Sequence, residues 1–194
     1  MTNWLQTTFT GKHIDPTDLR HEDICIEDIA HALALCNRFA GHSKKPISVA
    51  QHSVYVVRVV EKDPFAQAKW IRLQALLHDA AEAYLGDITR WIKRTAFLDG
   101  YRLLEHEVQS RIYQRFDLPM GLHPSITKAD RVMVRFEARK AFGKDFVIDE
   151  HHGPGDGEFP AMTKEEEDLV GHWSFWDWKW SEQLFLDYFR MITT

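Results

Sequence analysis

The stretch Ala75-Leu-Leu-His-Asp-Ala-Ala-Glu-Ala-Tyr-Leu-Gly-Asp87 constrains this chain more than any other. Leu73, Leu76 and Leu77 make it the apolar end of a helix, which runs straight into His78, Asp79 and Glu82. On a helix, Glu82 lies four residues from His78 and three from Asp79 and shares a face with both. Adjacent residues diverge by about 100°. His78 and Asp79 therefore meet only at something held between them, and a metal ion about 2 Å from each fits that geometry. Gly86 supplies the helix stop, and Asp87 follows at the mouth. A charged, solvated face is the alternative. The leucines before the doublet and the alanines within it argue for burial.

A chain of 194 residues fits one domain, 1–194. Its 44% hydrophobic and 27% charged residues are those of an ordinary globular protein. A net charge of -5 gives no general attraction to nucleic acid or to a membrane surface, so anion binding must come from a local cluster. Cys25 and Cys36 form no disulfide framework, and Cys36 falls in a helical pattern as a core residue. The first residues lack the basic region and apolar run of a signal peptide. No segment approaches the ~20 apolar residues of a membrane span. A reducing cytoplasm is the expected location.

Taken in order, residues 4–14 are β-prone around a glycine turn and predict a small hairpin. Ile26, Ile29, Ala30, Leu33 and Cys36 recur at helical spacing, giving a helix over 27–38, on which His31 reads as a solvated or satisfied histidine rather than a ligand. Ser48 caps a second helix, from Val49 to about Glu61, with His52 in its first turns. Asp63-Pro64 breaks it and opens a third helix that ends in the motif above. A short helix over 87–94 bears Arg90, Lys93 and Arg94. Long amphipathic helices follow over 100–116 and from Pro124, the latter carrying Asp130 beside an apolar stripe where a carboxylate needs a partner. Residues 150–162, glycine-rich and containing His151-His152, predict a loop or lid. Trp173, Trp176, Trp180, Leu184, Phe185 and Phe189 predict an aromatic C-terminal helix over 173–194, with Ser181 as a cap. The fold class is all-α.

His52, the His78-Asp79 doublet and Asp130 thus lie on three separate helices in the order H…HD…D. That order resembles the HD superfamily of metal-dependent phosphohydrolases. The run from His78 to Lys93 looks like the H-D-x-x-E-x-x-x-G-D-x-x-x-x-x-K pattern of its small 5′-deoxynucleotidase branch. Ser48-Val-Ala-Gln-His-Ser53 resembles that branch's S-x-x-E-H-S, with Gln51 in place of Glu, and Ala129-Asp130 matches the closing A-D. Ile26-Glu-Asp-Ile-Ala-His-Ala-Leu, with Arg38-Phe-Ala-Gly-His42, looks still more like small HD hydrolases of phages, among them dATP triphosphohydrolases. The resemblance covers about residues 14–142.

The resemblance implies an HD-type helical bundle with one divalent ion on His52, His78, Asp79 and Asp130. Two imidazoles and two carboxylates suit Zn, Mn, Co or Fe rather than a resident Mg, which would join only on the substrate phosphates. It implies Glu82 as general base and later proton donor, beside the catalytic His78 and Asp79. Asp87 matches a family residue that contacts the sugar, and Lys93, Lys44, Lys45 and Arg90 are the cations nearest to hand for phosphate.

The expected activity is metal-dependent hydrolysis of a 2′-deoxynucleotide, with a dATP-type triphosphohydrolase first and a 5′-deoxynucleotidase as the alternative. A non-catalytic metal- or nucleotide-binding sensor and an all-α interaction protein are the competing classes; an intact Glu82 argues against the former and the ordered motif against the latter. The expected partner is a small deoxynucleotide, with no nucleic acid and no membrane. The chain is expected to form a homo-oligomer and to work in the cytoplasm, that of the host if the protein is viral.

Overall fold

Helix α2, Val49–Val60, is the axis of the molecule. Every residue on it is buried except Arg58, the pattern of a helix packed on all sides. Ser48 caps it as expected, its hydroxyl accepting from the Gln51 N–H at 3.1 Å. The computed structural model describes residues 5–143 and 162–194. Around α2 lie α1 (Ile26–Leu35), α3 (Lys69–Leu76), α7 (Pro124–Phe142), α8 (Lys164–Val170) and α9 (Trp178–Thr193). The short helices α4 (Glu82–Leu85) and α5 (Arg90–Lys93) lead to α6, Asp99–Arg115, at the side of the bundle. A two-stranded antiparallel sheet, β1 (Gln6–Thr7) with β2 (His13–Ile14), is the predicted hairpin. The architecture is therefore mainly helical with one small sheet. Among the described residues, no helix is long and apolar enough to cross a membrane.

The helix expected over 27–38 ends at Leu35, with Cys36 its half-buried cap, and the one expected over 87–94 spans Arg90–Lys93. Three further boundaries differ, each for a local reason. The helix expected from Asp63-Pro64 begins instead at Lys69. Asp63 accepts from the Phe65 N–H at 2.9 Å and the Gln67 amide donates to the Glu61 and Asp63 carbonyls, so side chains close a turn where helical bonds would form. The predicted continuous helix through His78 and Glu82 is broken: α3 stops at Leu76, and tight i→i−3 bonds carry the chain to α4. Gln109 of α6 spans the break, donating to the Leu77 carbonyl at 2.8 Å and accepting from the Ala81 N–H at 3.0 Å. The C-terminal helix starts at Trp178, capped by Asp177 rather than Ser181, whose hydroxyl donates to the Asp177 carbonyl.

Trp173 and Trp176 therefore precede the helix, in a non-helical segment laid across α2. Gln51 holds that segment, donating to the Ser174 carbonyl at 2.8 Å and accepting from the Trp176 N–H at 3.2 Å. The expected loop over 150–162, with His151-His152, lies outside the described residues apart from Met162.

Candidate metal centre and its acid

Each histidine of the motif has one ring nitrogen committed to the protein and the other aimed at the same space. His52 is fully buried and places Nδ1 3.1 and 3.2 Å from the two oxygens of Glu137. His78 donates from Nδ1 to the Ala75 carbonyl at 2.8 Å, a contact created by the break in α3. Both Nε2 atoms are then buried without a hydrogen-bond partner among the described residues. The rings lie 5.3 Å apart, and Asp79 Oδ2 stands 3.3 Å from His78 Nε2 and 3.7 Å from His52 Nε2. Ligand atoms of His52, His78 and Asp79 lie within 4.8 Å of one another.

Two orphaned imidazole nitrogens facing a carboxylate are the donor set a transition ion takes, each ring oriented by an acceptor behind it. These residues fit a divalent metal. Asp130, the fourth expected ligand, borders this three-residue group, its Oδ1 3.2 Å from His52 Nε2.

Within the cluster, opposite charges outweigh burial. Burial pushes both imidazoles toward neutrality, yet the facing carboxylates win: His52 is raised by Glu137 and Asp130, and His78 is raised to about 9 by Asp79. Burial likewise raises Asp79, but His78, His52 and Arg38 hold it well below the carboxylate range. Asp130 is held low by His52 against the same burial. A metal bound among these groups would displace the protons that the imidazoles hold.

Glu82 behaves in the opposite way. It is 7% exposed, and burial, Asp79 and Asp87 push its carboxyl well above the usual range. Oε1 accepts from Lys93 at 3.1 Å, while Oε2 is buried with no hydrogen-bond partner among the described residues. A carboxyl with one oxygen anchored and the other unbonded can both take up and give back a proton.

The other expected contacts divide. Asp87 is half-buried, its N–H donating to the Cys36 thiol at 3.3 Å, and burial raises its carboxyl. Lys93 is engaged by Glu82 and Glu105, which makes it a support for the acid before it is a phosphate contact. Lys45 sits over the Phe175 ring, and Lys44 and Arg90 are exposed. His31 is satisfied by Glu182 and stacked on Phe9, as its helical setting predicts.

Three site residues escape the sequence reading. Arg38 lies 3.6 Å from Asp79 and 2.9 Å from Glu137; its signal is the stretch Arg38–His42 that carries the phage resemblance, but no role attaches to it there. Glu137 is fully buried, seven residues beyond Asp130 and so on the same face of α7. An acid on that inner stripe was the available signal. Gln109 carried none.

No family model matches the chain. The uncharacterized protein YfdR of Escherichia coli K12 is 37% identical over 132 residues, spanning 68% of this chain and 69% of that protein. An uncharacterized protein of Rhodobacter capsulatus is 37% identical over 145 residues, 71% of this chain and 73% of that protein.

Proposed function

The chain belongs to the family of YfdR and its Rhodobacter relative, and we propose that it is a divalent-metal-dependent phosphohydrolase of the HD type acting on 2′-deoxynucleotides. One observation carries the reading: two buried, unpartnered imidazole nitrogens converge on Asp79 with a buried acid, Glu82, beside them. A structural metal site has no use for that acid.

His52, His78 and Asp79 would hold the ion, with Asp130 completing the set. Zn, Mn, Co or Fe suits these ligands. When bound, the ion supplies Lewis acidity toward a phosphoryl oxygen and toward water.

The chain's own groups do the rest. Glu82 takes a proton at Oε2 from the attacking water and returns it to the leaving oxygen, while Lys93 holds Oε1 still. Arg38, largely shielded beside Asp79, is the cation that would face non-bridging oxygens. Asp87 accepts from the sugar 3′-hydroxyl. Packing against C2′ then leaves a ribonucleotide's extra hydroxyl unpaired, a defect of about 1–3 kcal/mol.

The triphosphate is favoured over the monophosphate on the phage-like N-terminal third and on Arg38 beside Asp79, with Lys44, Lys45 and Arg90 as the further cations the sequence offers. Measuring kcat/KM for dATP, ATP and dAMP with the same metal tests this. We expect intact triphosphate from dATP as the fastest reaction. Faster orthophosphate release from dAMP would assign the chain to the 5′-deoxynucleotidases, and equal rates on ATP would remove the role given to Asp87.

A further inference from the structure

Glu137 is a buried acid with two claimants. It projects from α7 into the core, fully shielded from solvent, and its carboxylate lies against both His52 and Arg38. Both lie 3.1–3.2 Å from His52 Nδ1, and Oε2 also lies 2.9 Å from Arg38 Nε. His52 is a proposed metal ligand from α2, and Arg38 is the arginine that faces Asp79. Arg38 also opens a backbone of unusual conformation, for Phe39, Ala40 and Gly41 follow with φ of 57°, 49° and 74°. Two successive non-glycine residues in the left-handed region persist only where their surroundings hold them. Arg38 is fixed at both ends: its N–H donates to the Ile47 carbonyl at 2.9 Å and its guanidinium meets Glu137.

From these contacts we infer that Glu137 is a positioning residue that sets two parts of the site at once. It fixes His52 in the Nδ1–H form with Nε2 turned to the metal, and it latches Arg38, and with it the left-handed turn, against Asp79. The inference rests on the metal reading above. A carboxylate suits the place because both of its oxygens accept. The isosteric Gln has one accepting oxygen and one donating nitrogen, so it serves His52 or Arg38 but sets a donor against the other.

The test is Co²⁺ titration, followed by visible absorption, of wild type, Glu137→Gln, Arg38→Met and the double variant. Loss of such a partner lowers metal affinity by about 10- to 100-fold. We expect Glu137→Gln to bind Co²⁺ more weakly by that factor and with an altered spectrum. In the Arg38→Met background the same change should cost far less, because the amide oxygen is then free for His52. A merely structural role would not give that rescue.

Equal affinity and spectrum in wild type and Glu137→Gln would overturn the inference and leave the metal site intact. No Co²⁺ uptake by wild type would overturn the metal reading itself. A measurement on the unaltered chain covers a variant that fails to fold. Nitrogen-15 NMR of the Zn²⁺-loaded protein should show His52 protonated at Nδ1, and a proton at Nε2 would overturn the inference.

Discussion

Glu82 carries two different oxygens, and its chemistry depends on the difference. Lys93 anchors one and opposes the rise in pKa that burial, Asp79 and Asp87 impose; the other faces the site unpaired. Glu82→Gln should keep the metal yet lose turnover by about 10²-fold or more, since only the proton carrier is gone. Asp79→Asn should lose metal and activity together. Metal analysis beside steady-state kinetics separates the two, and equal metal loss would make Glu82 a ligand. Lys93→Met has a signed pH effect. Lys93 lowers the Glu82 pKa, so its removal raises that pKa. The acid limb of the kcat profile should therefore move to higher pH, and an unmoved limb would show that Glu82 is not the titrating base.

At the scale of elements, side chains rather than propensities place the breaks that build the site. Helical periodicity was enough to foretell α1, α2, α6 and α7, and with them His52 and Asp130, although α2 is buried on all sides and α6 buries only part of its apolar face, leaving Leu103 exposed. It was not enough for His78 and Asp79, whose local pattern is helical while Gln109, distant in sequence, stabilises a break. Gln51 is a second such device. It stands where the resembling branch has Glu, and its amide supplies the donor that Ser174 requires. Gln51→Glu should cost about 1–3 kcal/mol by leaving that buried contact unmade, and thermal unfolding measures it; an unchanged midpoint would refute the role.

Asp28 does similar service for the N-terminal hairpin turn, accepting from the Thr10 N–H at 2.7 Å and from the Cys25 thiol at 3.0 Å. Burial raises its pKa, but these bonds leave it below the ordinary value. Because the folded pKa lies below the unfolded one, Asp28 stabilises fully above about pH 4 and loses that contribution as pH falls through the folded value. Asp28→Asn should flatten that part of the stability–pH curve, and urea titrations between pH 5 and pH 2 would reveal an unchanged curve if Asp28 were idle.

The whole molecule gathers α2, α7 and the broken α3–α4 junction around one cluster, so metal binding and folding should be linked. A ligand that binds only the folded chain stabilises it by about 2.7 kcal/mol at 100 times its Kd. Mn²⁺ or Co²⁺ should accordingly raise the melting midpoint of the wild type and leave Asp79→Asn unmoved. The most direct measurement joins that cluster to the reaction. The protein is stripped with EDTA, returned to metal-free buffer and titrated with Mn²⁺ while release of the phosphate chain from dATP is followed. We predict no release from the stripped chain and recovery in proportion to bound metal, ending at one ion per chain. Hydrolysis that survives stripping, or a fully loaded protein that cleaves no deoxynucleotide, would contradict it.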